Sequence, residues 1–390
     1  MRFAGDRHMN NQQTHDIDIR EVSGKRALDT FIRVPWEIYK DDPNWVAPLL
    51  FERREALSDK NPFFEHADWC AWIAYRDDIP VGRISAQIDQ LHQQRYDNQS
   101  GFFGLIEAVD DDEVFKALFD TAERWLRERG MQQILGPFNL GINQELGVLV
   151  EGFDTPPYVM MGHSLPYYDA AIKRCGYQAE QDLLAYELDN KTLTIPRVMR
   201  SLIDRSASRV NVRCLRRNEK AVELEIMRDI FNDAWDSNWN FVPFTRNEFA
   251  AIGKELLMLL PPDFIQIAEL DGEAVAFNVL IPNLNEAIAD LNGKLLPFGW
   301  AKLLWRLKVR FPKTARVALM GVRQKYQNTR FGPALAYMVI KEAMDAGTAR
   351  GLERAEMSWI LSHNHAVRNI IESIGGEITK RYRMYHKFLP

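Results

Sequence analysis

Residues 316–347, RVALMGVRQKYQNTRFGPALAYMVIKEAMDAG, constrain this chain more than any other stretch. They hold an alternating apolar run (Val317, Leu319, Gly321), a turn rich in amide and basic side chains, and then a helical repeat. Pro333 suits a first helical position, where a missing N–H costs nothing, and Leu335, Met338, Val339, Ala343 and Met344 follow at helical spacing. A strand that enters a helix through such a turn aims several backbone N–H groups and the positive end of the helix at one point. That is an anion site, with phosphate as its commonest occupant.

The rest of the chain must supply a scaffold for this unit. At 390 residues it fits two domains. A net charge of −5 leaves no overall footprint for nucleic acid. Cys70, Cys175 and Cys214 are too far apart for a zinc pattern or a disulfide framework, so no metal is expected and a reducing cytosol is the simplest setting. No run approaches the ~18 apolar residues that would span a bilayer. Residues 1–15 lack the apolar core of a signal peptide and read as a disordered polar tail.

In the first half, Ile17–Val22 alternates weakly, and residues 25–58 read as helix and loop broken at Pro35 and Pro43. Trp69–Tyr75 and Val81–Ile88 form a hairpin, Gly101–Val109 a strand, and Val114–Leu126 the apolar stripe of a helix ended by Gly130. Gln132–Phe138 is a strand, Tyr167–Cys175 a helix and Leu183–Leu188 a strand. The long loop at 139–168 sets Asn139, Asn143, Glu145 and His163 among aromatic and Met side chains, which suits an acceptor pocket or a seam between domains. A helix and a basic strand follow at 189–215, then a helix at Ala221–Asn232. In AWDSNWNFVPF, Asp236 and Asn238 either orient an acceptor or form turns, and Trp239 lines a groove or core. Asp271-Gly272 marks a second hairpin. Ala355–Ile360 is a strand, Val367–Ile374 a helix stopped by Gly375-Gly376, and Lys380–Phe388 closes the sheet.

Hairpin, strand, turn and helix thus occur twice, and the turn YQNTRFGPAL resembles the pyrophosphate loop of the GNAT superfamily of acyl-CoA N-acyltransferases. Gln327 falls on the loop's first position and Gly332 on its last glycine, while Arg330 replaces the middle glycine. The resemblance implies an α/β mixed-sheet fold of two tandem GNAT-like domains, one over 16–190 and one over 211–390, joined by a linker at 191–210. Acyl-CoA would be the co-substrate, held by Gly321, Val322, Arg323, Gln327, Asn328, Thr329, Arg330, Phe331, Gly332, Pro333 and Ala334. The first domain is degenerate, because AVDDDEV stands where its phosphate loop should be and three aspartates repel a pyrophosphate.

In GNAT enzymes an Asn follows the fifth strand and a Tyr on the next helix protonates the leaving thiolate. Asn364 fits the Asn, but Ile371 stands at the Tyr position. His363 and His365 offer imidazoles at the strand gap, which runs between Gly321 and Trp359, and Glu356 either serves as a base through water or pairs with a nearby Arg. GPFNLGINQE, AWDSNWNFVPF, EMSWILSHNHAVRN and KRYRMYHKF resemble a family that includes bacterial ceramide synthases. That implies transfer to an amine, either a long-chain sphingoid-type base or a small amine or amino acid. A non-catalytic lipid-binding module and a tRNA-dependent aminoacyl transferase are the rivals. The basic, Trp-containing insertion at 288–316 suits peripheral contact with the inner face of a membrane, a clamp on an acyl chain, or an amphipathic helix packed on the core.

Overall fold

The computed structural model describes residues 16–206, 208–329 and 331–390; the expected tail 1–15 and the loop residue Arg330 lie outside the described residues. In the first half the strands are β1 (Asp18–Glu21), β2 (Ala67–Arg76), β3 (Ile79–Asp89), β4 (Ser100–Ala108), β5 (Gln133–Gly136), β6 (Phe138–Asn139), β7 (Glu145–Leu146), β8 (Val148–Glu151) and β9 (Gln178–Asp189). In the second half they are β10 (Val210–Cys214), β11 (Ile265–Leu270), β12 (Glu273–Pro282), β13 (Thr314–Val322), β14 (Arg354–Leu361) and β15 (Glu377–Phe388).

One 13-stranded sheet runs β1-β2-β3-β4-β5-β15-β9-β14-β13-β12-β11-β10, with β8 on the side of β15 and β6–β7 as a separate pair. The two halves exchange their last strands. β9 pairs with β14 of the second half, while β15 pairs with β5 and β9 of the first. Lys380–Phe388 therefore does not close the sheet of its own half. Nothing local dictates this, because an alternating strand buries one face wherever it pairs.

Both hairpins are set by local chemistry. Asp77-Asp78 and Asp271-Gly272 all have positive φ, as a two-residue turn between twisted strands requires. Pro35 behaves differently from expectation. It sits inside the helix Gly24–Ile38, buried against the core, and its carbonyl accepts from Tyr39 N.

Around β13 the helices lie on both faces of the sheet. A Cβ at Gly321 would touch Ala234 and Ile230 of helix Lys220–Trp235, whereas the neighbouring Val322 packs with Leu335 and Val339 of helix Phe331–Thr348. Period-2 alternation along β13 thus separates the two layers. The long helix begins two residues before Pro333.

Candidate active site

β13 and β14 run parallel for four pairs, Thr314 with Arg354 through Val317 with Met357, and then part. β13 continues to Val322 and β14 to Leu361, and the register of β14 on β9 slips between Met357 and Ile360. The result is a wedge whose two sides are strand edges and whose apex lies at Glu356 and Ser358.

The apex is polar and dry. Glu356 and Arg316 are 0% and 2% exposed. Arg316 Nε donates to Ser358 Oγ (2.8 Å), and Ser358 Oγ donates to Glu356 Oε1 (2.7 Å). Arg316 Nε itself is 3.9 Å from that carboxylate oxygen. The remaining guanidinium nitrogens reach the carbonyls of Val159, Met160 and Ser358, and the group lies over the Trp359 ring. Burial pushes the Glu356 carboxyl up to about 7, against the opposing pull of Arg316, Ser358 and Lys380. Its second oxygen, Oε2, has no partner among the described residues, and neither do the buried Trp359 Nε1 and Tyr382 hydroxyl. Burial, reinforced by Glu356, raises the Tyr382 hydroxyl well above the usual phenol range and keeps it a neutral donor. A buried carboxyl near neutrality with one oxygen spare is suited to taking up a proton.

No family model matches the chain. It is 50% identical over 379 residues to Protein YghO of Escherichia coli K12, covering 97% of each. It is 45% identical over 377 residues to the bacterial ceramide synthase of Caulobacter vibrioides, covering 96% of this chain and 98% of that protein. This chain belongs to the tandem-GNAT family of the bacterial ceramide synthase. A tandem GNAT protein from the clavulanic acid pathway superposes with a TM-score of 0.57 at 10% identity, over 96% of this chain and 99% of that one. A GCN5-related N-acetyltransferase from Sphaerobacter thermophilus superposes at 0.52 and 11% identity, over 95% and 96%. The protein is a GNAT-type N-acyltransferase, and acyl-CoA is the donor class of that fold.

Along the wedge of this GNAT enzyme, the phosphate turn is shaped from within. A Cβ on Gly332 would lie 2.6 Å from Tyr326 O and 2.7 Å from Gln327 O, so the chain doubles back too tightly for a side chain there. The Gln327 amide donates to Val322 O and Ala234 O and braces the turn rather than pointing outward. Arg323 pairs with Asp229 and donates to Ala274 O. Asn328 and Thr329 are exposed, and Thr329 Oγ1 accepts from Phe331 N. A tight glycine turn feeding an 18-residue helix, next to open strand edges, fits a pyrophosphate with its pantetheine arm.

The other candidates are more scattered. Asn364 Oδ1 accepts from Val367 N and caps the helix His365–Ser373. His363 is exposed, with Nδ1 at 2.9 Å from Gln181 Oε1, and His365 is exposed on the first turn. Ile371 is buried in the core. Glu145 meets Arg53 (3.2 Å) and Asn139 Nδ2 (3.2 Å). Asn139 Oδ1 accepts from Leu105 N, and Asn143 donates to Val242 O. His163 meets Asp42, far from β14 in the chain. Asp236 holds Arg95, Asn238 N donates to Trp235 O in a turn, and Trp239 stacks on Phe138. Sequence reading missed Arg316, Ser358 and Tyr382. An Arg within the apolar run ARVALM was the one available signal, since a cation in a buried strand needs a partner.

Proposed function

We propose that this enzyme moves a long acyl group from acyl-CoA to the amine of a long-chain, sphingoid-type base, with Glu356 as the base. One observation carries the reading: the spare oxygen of a buried, near-neutral carboxyl sits where the parallel strands part. The name of the Caulobacter relative supports the lipid acceptor.

The amine gives its proton to Glu356 Oε2, directly or through a water, while Ser358 and Arg316 hold the other oxygen. The neutral nitrogen then attacks the thioester carbonyl, and backbone donors along the open strand edges stabilise the oxyanion. The C–N bond forms and the C–S bond breaks; the nitrogen's second proton passes to water at the rim, and the thiolate leaves with the proton that Glu356 returns. Coenzyme A is bound by the turn Arg323–Gly332 and the start of the following helix. His363, Asn364 and His365 belong to the rim, where His363 can pass protons between the wedge and water.

The test pairs purified protein with palmitoyl-CoA or acetyl-CoA, and with sphinganine, spermidine or free amino acids, following thiol release and product mass. N-palmitoyl sphinganine as the fastest product is expected. Faster acetylation of a small amine would overturn the lipid assignment, and failure of Glu356→Gln to slow turnover would overturn the base.

A further inference from the structure

The segment between Asp290 and β13 exposes apolar side chains where a protein facing only water would bury them. Leu296, Phe298, Trp300, Leu304, Trp305 and Val309 are 48–80% exposed, and no residue of the helix Gly299–Lys308 is buried. An amphipathic helix packed on the core is thereby excluded. The helix is nonetheless held in place. Asp290 takes both Lys302 and Arg306, Glu286 accepts from Lys313 N and Thr314 N, and Trp36 Nε1 donates to Asn292 from the first half.

Charge identifies the occupant of this surface. In a chain of net charge −5, no Asp or Glu occurs between Asp290 and Glu342. Lys294, Lys308 and Arg310 are exposed beside the apolar residues. Indole rings and aliphatic side chains bordered by cations match the boundary of an anionic bilayer, where acyl chains meet phosphate headgroups. A protein partner would need the same unusual pairing of apolar surface with a wide acidic rim.

We propose that residues 294–310 dock this enzyme on an anionic lipid surface. The docking also sets direction. The segment enters β13 at Thr314, whereas the wedge widens toward Val322, roughly 25 Å away at about 3.3 Å per residue. The closed end of the wedge then lies toward the lipid side, and the phosphate turn lies away from it. This orientation rests on the proposed lipid acceptor; the docking itself does not.

Flotation of the purified protein with vesicles tests it without turnover. Binding is expected to vesicles of phosphatidylcholine mixed with phosphatidylglycerol, weaker with phosphatidylcholine alone, and weaker again in high salt. Trp300→Glu with Trp305→Glu should abolish it, and Lys308→Glu with Arg310→Glu should weaken it by at least about tenfold. Melting temperature and thermal stabilisation by CoA should be unchanged in both variants. Wild-type protein left unbound by mixed vesicles, or Trp variants that float equally well, would overturn the proposal. A sedimenting dimer that the Trp variants dissolve, with no vesicle binding, would assign the surface to a second copy instead. Vesicle binding combined with acetylation of small amines would keep the docking and sink only the lipid acceptor.

Discussion

Among the described residues two parallel strand pairs open into wedges, and one of the two wedges is left open. β4 and β5 part after Phe102 and Leu135, much as β13 and β14 part after Val317 and Met357. In the first half the chain fills its own wedge. The Phe138 carbonyl lies against Gly104, Gln87 donates to Phe138 O and Leu140 O, and Asn139 accepts from Leu105 N. The helix behind it is already capped, since Asp111 accepts from Glu113 N and pairs with Arg76. Slot and helix start are both satisfied from within. In the second half the turn and helix start carry no acid, and the apex keeps an acceptor oxygen spare. The same fold becomes support or catalyst according to whether backbone or ligand completes the wedge.

The largest break in this comparison comes from one glutamate in each half. Glu356→Gln is expected to lower kcat by about 10²–10⁴-fold. Because the free carboxyl titrates near 7 and acts as its anion, wild-type kcat/KM should fall as pH drops through 7, and the variant should lose that limb. Glu107 accepts from Tyr39 and Tyr168 inside the first half, so Glu107→Gln should lower the melting temperature and leave the pH profile of the folded enzyme intact.

Two glycines sharpen the contrast. Gly332→Ala forces the phosphate turn open and should raise the KM for acyl-CoA on the order of tenfold or more. At Gly104 a Cβ would lie 1.9 Å from Phe138 O, so Gly104→Ala should cost roughly 1–3 kcal/mol of stability in a denaturant melt, with the KM unmoved.

Asn364→Ala separates capping from chemistry. Loss of the cap alone costs about 1 kcal/mol and spares kcat; a fall in kcat beyond that would give Asn364 a direct part in the reaction. A further effect is at the contact between halves. His66 lies between Asp89 and Glu248 of the second half, and against the pull of burial these two raise its pKa to about 10. A raised folded-state pKa means the pairing contributes fully below about 6.5 and is lost as pH climbs toward 10. Wild-type melting temperature should decline over that window more steeply than that of His66→Gln.

Much of this was legible in the sequence where the determining contacts are short-range. Asp271-Gly272 announced its hairpin, and AVDDDEV read as a turn that repels pyrophosphate, where the structure adds that Asp111 caps the helix. The loop 139–168 was harder to read. Glu145, Asn143 and His163 serve contacts with Arg53, Val242 and Asp42 that only packing creates. Pro35 misled because a buried helix face can hold a helix through a proline that propensity alone would use to end it.

By itself the sequence determined the repeated strand–turn–helix units, the acidic turn in one of them and the basic apolar insertion. Each of these rests on neighbours a few residues apart. Only the tertiary structure decided which strand completes which half, and that Glu356 would be poised near neutrality. Register across β9, β14 and β15 depends on partners nearly 200 positions away, and the Glu356 proton is governed by burial set against the opposing pull of Arg316, Ser358 and Lys380, which no local pattern brings together.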